Sequence, residues 1–259
     1  MSEIIETFCP GWVCKKEELK KSRSLPEIIG FYVWETPCKD TSSRGKTMSQ
    51  YGWDKNVWKD GDLRSYLLYI AGMKTDETFV KVKSLSEMSG AAARIGLGKT
   101  FYKKRDKEKI LFYSNGKNVD ILTILYYIRC AIAHGRFQIY TEETGSLYAF
   151  ETVTKKRGSG KYVVRAQMLL SEKTLIEWAK VISLGKASLK KKTSDMQGII
   201  QQEILQLIRK EQIRKKEDLL DALPFEKNMV YKQVKGLAIN NVISYDRSKR
   251  FWVALKVEE

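Results

Sequence analysis

One stretch constrains this chain more than any other: the run from Val119 to Ala133 and its ending in His134-Gly135. Val119, Ile121, Leu122, Ile124, Leu125, Ile128, Ile132 and Ala133 recur at helical spacing. Their apolar face is too broad to leave in water, so the run predicts a helix buried in a core. Gly135 is the expected stop, because glycine readily takes the left-handed conformation that closes a helix. His134, the single histidine in 259 residues, then falls in the last turn, at the negative end of the helix dipole. Arg129 stands five residues earlier. At about 100° per residue the two side chains diverge by about 140°, so a joint site needs a second helix or a second copy of the chain. The plain structural alternative is a histidine cap with an arginine that serves in an ion pair.

Arg129-x-x-x-x-His134 inside a buried helix, followed by Gly135 and an apolar residue, resembles the arginine–histidine motif of HEPN domains. Ala133-His134-Gly135-Arg136-Phe137 is similar to a branch of that family in which a small β-sheet and a further helix follow the motif helix. The resemblance spans residues from about 55 to 185, and its specific part is about a dozen residues long. It implies a helical bundle, a homodimer and a metal-independent endoribonuclease with no cofactor and no metal. It also implies the catalytic pair: His134 as general base or acid on the ribose 2′-hydroxyl and the leaving oxygen, and Arg129 stabilising charge on the scissile phosphate. Cleavage would leave a 2′,3′-cyclic phosphate. Toxins and antiviral defence effectors are the roles such enzymes often take. Cys130 stands where active members often carry Asn, Asp or His.

Charge points to the same class of partner. The chain carries 47 Lys and Arg against 31 Asp and Glu, a net +16, which favours nucleic acid or another polyanion; RNA is the partner that the resemblance implies. Residues 186–259 contribute 16 basic and 10 acidic side chains, so the excess is divided between both halves. A hydrophobic content of 43% supports packed cores and excludes a disordered tail. Cys9, Cys14, Cys38 and Cys130 lack the paired spacing of a zinc site. No apolar run reaches the ~20 residues that span a bilayer, and Met1–Thr7 lacks the basic and apolar regions of a secretory signal. The expectation is a cytoplasmic protein without a membrane partner.

The chain divides into three expected parts: a HEPN-like helical domain over 1–185 with an N-terminal extension and a small β-sheet, a basic linker over 186–195, and a winged helix-like domain over 196–259. The fold class expected is mainly α with small antiparallel β, a helical bundle plus a three-stranded sheet. Within the first part, Ile28–Trp34 reads as a buried extended segment closed by Pro37. Helices are expected over Leu63–Met73 and from Ser84 or Ser86 to about Ile95. Gly96-Leu-Gly98-Lys99-Thr100 ends like a phosphate-binding loop, but such a loop follows a strand and opens a helix. Here it follows a helix, and a glycine stop is the better reading. After His134 the period changes to two, and Arg136–Tyr140, Leu147–Val153 and Tyr162–Met168 alternate as strands. The turn Lys155–Gly160 is strongly basic. A helix then runs from its N-cap Ser171 to about Leu184.

Beyond the linker, Met196–Arg209, Lys216–Ala222 and Glu226–Asn240 read as three helices. Val242–Tyr245 and Phe251–Leu255 form a hairpin. This order resembles a winged helix domain, in which the third helix enters the DNA major groove and the wing touches phosphate. That resemblance makes Lys227, Asn228, Tyr231, Lys232 and Lys235 on the third helix, and Arg247, Lys249 and Arg250 on the wing, the candidate nucleic-acid contacts, with duplex DNA as a second partner. A non-catalytic DNA-binding regulator, dimerised through the helical domain, is the alternative function.

Overall fold

The computed structural model describes residues 16–20, 22–37, 46–54, 61–98, 105–116, 120–143, 145–155, 158, 162–210, 215–246 and 251–254. Its elements begin with α1 (Lys16–Leu19) and α2 (Leu25–Ile29), which runs into a π-helical turn (Gly30–Glu35). Next come α3 (Gly61–Ile70), β1 (Phe79–Val82), α4 (Met88–Arg94), β2 (Lys109–Tyr113) and α5 (Asp120–Ala133). Three strands follow, β3 (Phe137–Glu142), β4 (Gly145–Lys155) and β5 (Tyr162–Ser171). The chain then forms α6 (Glu172–Arg209), α7 (Lys216–Ala222), α8 (Lys227–Ile239), β6 (Ile243–Asp246) and β7 (Phe251–Ala254).

A five-stranded mixed sheet in the order β1-β2-β5-β4-β3 organises the described residues that precede the bend at Gly185. β1 and β2 are parallel, and every other pairing is antiparallel. Helix α4 lies in the connection between the parallel pair, as a parallel crossover requires. Helix α5 leads from β2 to β3 at the far edge. One sheet face, with Phe79, Phe112, Phe150 and Met168, packs with Leu68, Ile128 and Trp178 of the helices. The opposite face, with Val80, Leu111, Ala149 and Leu169, is covered by Met88, Ala92 and Ile95 of α4 and the turn after it.

This architecture overturns the expected helical bundle with a three-stranded sheet. Two strands escaped the sequence reading, β1 and β2. Both are short and nearly every residue is buried, so neither shows the alternation that marks a half-exposed strand. The expected extended segment Ile28–Trp34 is helical instead. Pro26 occupies the first turn of α2, and Ile28, Phe31 and Tyr32 are buried at helical spacing; a short apolar run fits either period. Gly96 takes φ 70°, and the Gly96 and Leu97 N–H groups donate to Ala93 and Ala92 carbonyls, so the glycines close α4 and cradle no phosphate.

The linker expected at 186–195 is also helix, because α6 continues from Glu172 to Arg209. Leu189, Thr193, Met196 and Ile200 are buried along one stripe while Lys190 and Lys191 face solvent, which is amphipathic helix under a lysine-rich surface. Gly185 interrupts the helix with φ 75° and ψ −175°. A Cβ at that position would stand 2.2 Å from the Tyr51 carbonyl oxygen. At the same bend the Trp53 indole N–H donates to the Ile182 carbonyl at 2.8 Å.

Past the bend, α6 shares a separate core with α7, α8 and β6 through Ile200, Ile204, Leu219, Val230, Val234 and Ile243. This unit rests on the first one. Phe225 stacks on Tyr69 with ring centroids 5.8 Å apart, and the buried Glu226 accepts the Thr75 N–H at 2.7 Å. Among the described residues, no helix is long and apolar enough to cross a membrane.

Gly185→Ala is expected to lower the unfolding free energy by about 2 kcal/mol or more, since this backbone region is open almost solely to glycine and the methyl group meets a carbonyl. Urea denaturation of the variant against the natural chain measures it; an unchanged midpoint would show that the bend yields to a side chain.

Candidate functional site

Helix α5 buries Ile121, Ile124, Leu125, Ile128, Ala131 and Ile132 in the main core. After Asp120, the positions left half-buried or exposed are Leu122, Tyr126, Arg129 and Ala133, and their i, i+4, i+7, i+11 spacing makes one narrow strip. Asp120 opens the helix, where its charge suits the positive end of the dipole, and the Lys81 ammonium pairs with it at 2.8 Å. The other end closes as a Schellman motif. Gly135 takes φ 66°, its N–H donates to Ile132 O at 3.0 Å, and the Arg136 N–H donates to Ala131 O at 2.8 Å. His134 is therefore the C-cap residue, its own N–H held by Cys130 O at 3.0 Å and its ring exposed.

Arg129 is half-buried, and its Nε is buried with no hydrogen-bond partner among the described residues. No hydrogen bond or ion pair joins it to His134, as the helical offset requires. Cys130 is a buried free thiol, turned into the protein and away from the strip. Tyr127 is buried too; desolvation pushes its phenol up to about 12, so its hydroxyl stays protonated and donates to the Tyr113 carbonyl at 2.8 Å.

Sequence reasoning missed the polar support beneath the helix end. The Arg136 guanidinium donates to Glu151, a carboxylate with no exposed surface. Gln167, paired with Glu151 in the ladder, donates to its second oxygen at 3.1 Å and accepts the Gly98 N–H at 3.1 Å. The signal was present: Glu151 and Gln167 share a face with apolar residues, Leu147 and Ala149 on β4 and Leu169 on β5. A buried carboxylate requires a paired cation and hydrogen bonds, and Arg136 supplies the cation. The residue two places after His134 is thereby held by its backbone and by its side chain.

On α8, Met229, Val230, Val234 and Leu237 face the core, while Asn228, Tyr231, Lys232 and Lys235 are exposed. Lys227 is differently placed. Its ammonium lies 2.7 Å from Asp221 and 3.6 Å from Glu77, and the hydrogen bond to Asp221 raises its pKa. Arg247, Lys249 and Arg250 lie outside the described residues. Among the described residues, no cluster of three or more His, Cys, Asp or Glu side chains is placed to hold a metal ion.

Glu151→Ala would leave the half-buried Arg136 without its counter-charge and should destabilise the fold by about 3 kcal/mol, read from chemical denaturation. A loss under about 1 kcal/mol, the level of an exposed pair, would mean that the ion pair does not support the helix end. Comparison with family models, with curated proteins and with solved structures found no match to this chain.

Proposed function

We propose that the protein is a cytoplasmic, metal-independent endoribonuclease that uses Arg129 and His134. The observation that carries this reading is their placement on α5: an exposed imidazole at a rigidly closed helix end, and one turn before it a half-buried guanidinium whose Nε has no hydrogen-bond partner among the described residues. An imidazole exchanges protons near neutral pH and can take the ribose 2′-hydroxyl proton or return one to the leaving oxygen. A guanidinium offers a planar set of donors to the phosphate as charge builds. The two point to different sides of one helix, so a complete site takes Arg129 from one protomer and His134 from another, with the Leu122–Tyr126–Arg129–Ala133 strips facing across a two-fold axis. The family resemblance now rests on these motif residues alone, because a mixed sheet and not a helical bundle surrounds them.

A second reading, a DNA-binding regulator without catalysis, is favoured by one observation: α8 exposes Asn228, Tyr231, Lys232 and Lys235 together, in a unit of three helices and a hairpin. In that reading Lys232→Gln with Lys235→Gln weakens duplex DNA binding and lowers its salt dependence.

Purified protein incubated with mixed RNA in EDTA separates the two. Cleavage is expected, ending in 2′,3′-cyclic phosphate, and Arg129→Ala and His134→Ala should each reduce its rate by about 100-fold or more with melting behaviour retained. Arg129→Lys should restore only part of the rate, since a point charge lacks the fork. Intact RNA in the presence of a dimer would remove the enzyme reading and leave the regulator. Equal cleavage by His134→Ala would indicate a contaminating nuclease.

A further inference from the structure

We infer that Tyr126 stacks the RNA base next to the scissile phosphate and that Arg165 holds the neighbouring phosphate, so that the site takes single-stranded RNA across the flank of α5. This inference deepens the proposed activity and rests on it for the identity of the site.

The order of side chains around α5 sets the path. By the helical period, Tyr126 stands between Tyr127, about 100° to one side, and Arg129, about 60° to the other side and nearly one turn on. Tyr127 turns into the protein and is 7% exposed, whereas Tyr126 is 39% exposed. Their rings are tilted against each other with centroids 5.7 Å apart, so the buried ring backs the open one. A base stacked on Tyr126 thus lies beside Arg129 on the same strip.

Beyond Tyr127 lies a second guanidinium. The Thr152 hydroxyl donates to the Tyr127 carbonyl at 2.7 Å, and the Tyr127 hydroxyl donates to the Tyr113 carbonyl at 2.8 Å, so Tyr127 is pinned between β4 and the end of β2. The Arg165 guanidinium lies 5.0 Å from the Tyr113 ring centre, and its Nε donates to the Thr154 hydroxyl at 2.7 Å. Burial raises the Tyr127 phenol and the charge of Arg165 opposes that rise, in keeping with how near the two side chains lie. Arg165 is half-buried like Arg129. Neither has a carboxylate partner among the described residues.

Two such cations on either side of a pair of aromatic rings select the partner. A guanidinium held on an aromatic face still offers N–H donors in a fork that fits a phosphate. An open ring takes an unpaired base by stacking, whatever the base. Arg129 and Arg165 therefore suit the phosphates on either side of the nucleotide whose base lies on Tyr126. A duplex keeps its bases paired and stacked and offers none to Tyr126.

The test uses the full chain with His134→Ala, so that RNA survives, and measures anisotropy of a fluorescein-labelled single-stranded RNA across a salt series, with a labelled RNA duplex beside it. Adding Tyr126→Ala should weaken single-strand binding about fivefold or more and leave the log–log salt slope unchanged, since stacking releases no counterions. Tyr126→Phe should bind as the Tyr126 chain does, because the ring stacks and the hydroxyl does not. Arg165→Gln should weaken binding and make the slope shallower by about 0.7, the single-strand value per phosphate contact. Melting and light scattering establish that each variant keeps its fold and its oligomeric state. Unchanged affinity in folded Tyr126→Ala and Arg165→Gln chains overturns the proposal. So does a Tyr126→Phe chain as weak as Tyr126→Ala, an equal loss on the duplex, or a loss in Tyr126→Ala that tracks dissociation of a dimer. Binding that depends on Tyr126 and Arg165 in a chain whose His134 form never cleaves would sink the nuclease reading and leave the RNA site. Arg129- and His134-dependent cleavage indifferent to both changes would do the reverse.

Discussion

Helix α5 must be covered around most of its circumference, and the rest of the first unit is arranged to cover it. Its apolar side chains meet the aromatic face of the sheet below and the helical layer made by the π-helical turn, α3 and the start of α6. Burial of a Leu or Ile side chain is worth about 1.5–3 kcal/mol, so exposure of any large part of this helix would outweigh the stability of an ordinary domain. Whatever chemistry α5 performs is confined to the strip that the covering leaves open and to its C-terminal end.

Two devices hold that end in place. The Schellman closure at Gly135 satisfies the last carbonyls of the helix, and Arg136, paired with the buried Glu151, locks the next residue to β4. The imidazole of His134 is consequently exposed on a backbone that has little freedom, which is the combination a proton-transfer group needs. The same carboxylate is bonded to Gln167 and through it to the turn at Gly98, so the closure of α4 and the closure of α5 share one buried polar chain.

The bend at Gly185 has a different consequence. It lets one helix belong to two cores, its first half packed on the sheet through Trp178 and Ile182 and its second half packed with α7 and α8. Contacts from Phe225 and Glu226 to α3 and the segment after it then join the units by more than the helix. The exposed side of α8 is carried in a defined direction by this arrangement.

The chain itself determined what depends on neighbours in sequence. The 3.6-residue period of Ile121–Ala133, the glycine that ends it, the Ser171 cap, whose oxygen accepts the Thr174 N–H, and the alternation of β3 all follow from local spacing. So does the expectation that Arg129 and His134 diverge. What only the tertiary structure decided depends on contacts far along the chain. β1 and β2 are strands because each fills a buried place in the sheet, and a strand covered on both faces has no polar alternation to read. Ile28–Glu35 is helical because that form delivers Ile28, Phe31 and Tyr32 to one core. Lys186–Asp195 is helix and not linker because Leu189 and Thr193 find buried places that their lysine neighbours conceal in the sequence. Glu151 announced in the sequence that a buried carboxylate needed a cation, but that Arg136 is that cation was decided by the packing of β4 against the end of α5. Local sequence records which side chains must leave water, but the partner that receives each one is chosen by the packing of the whole chain.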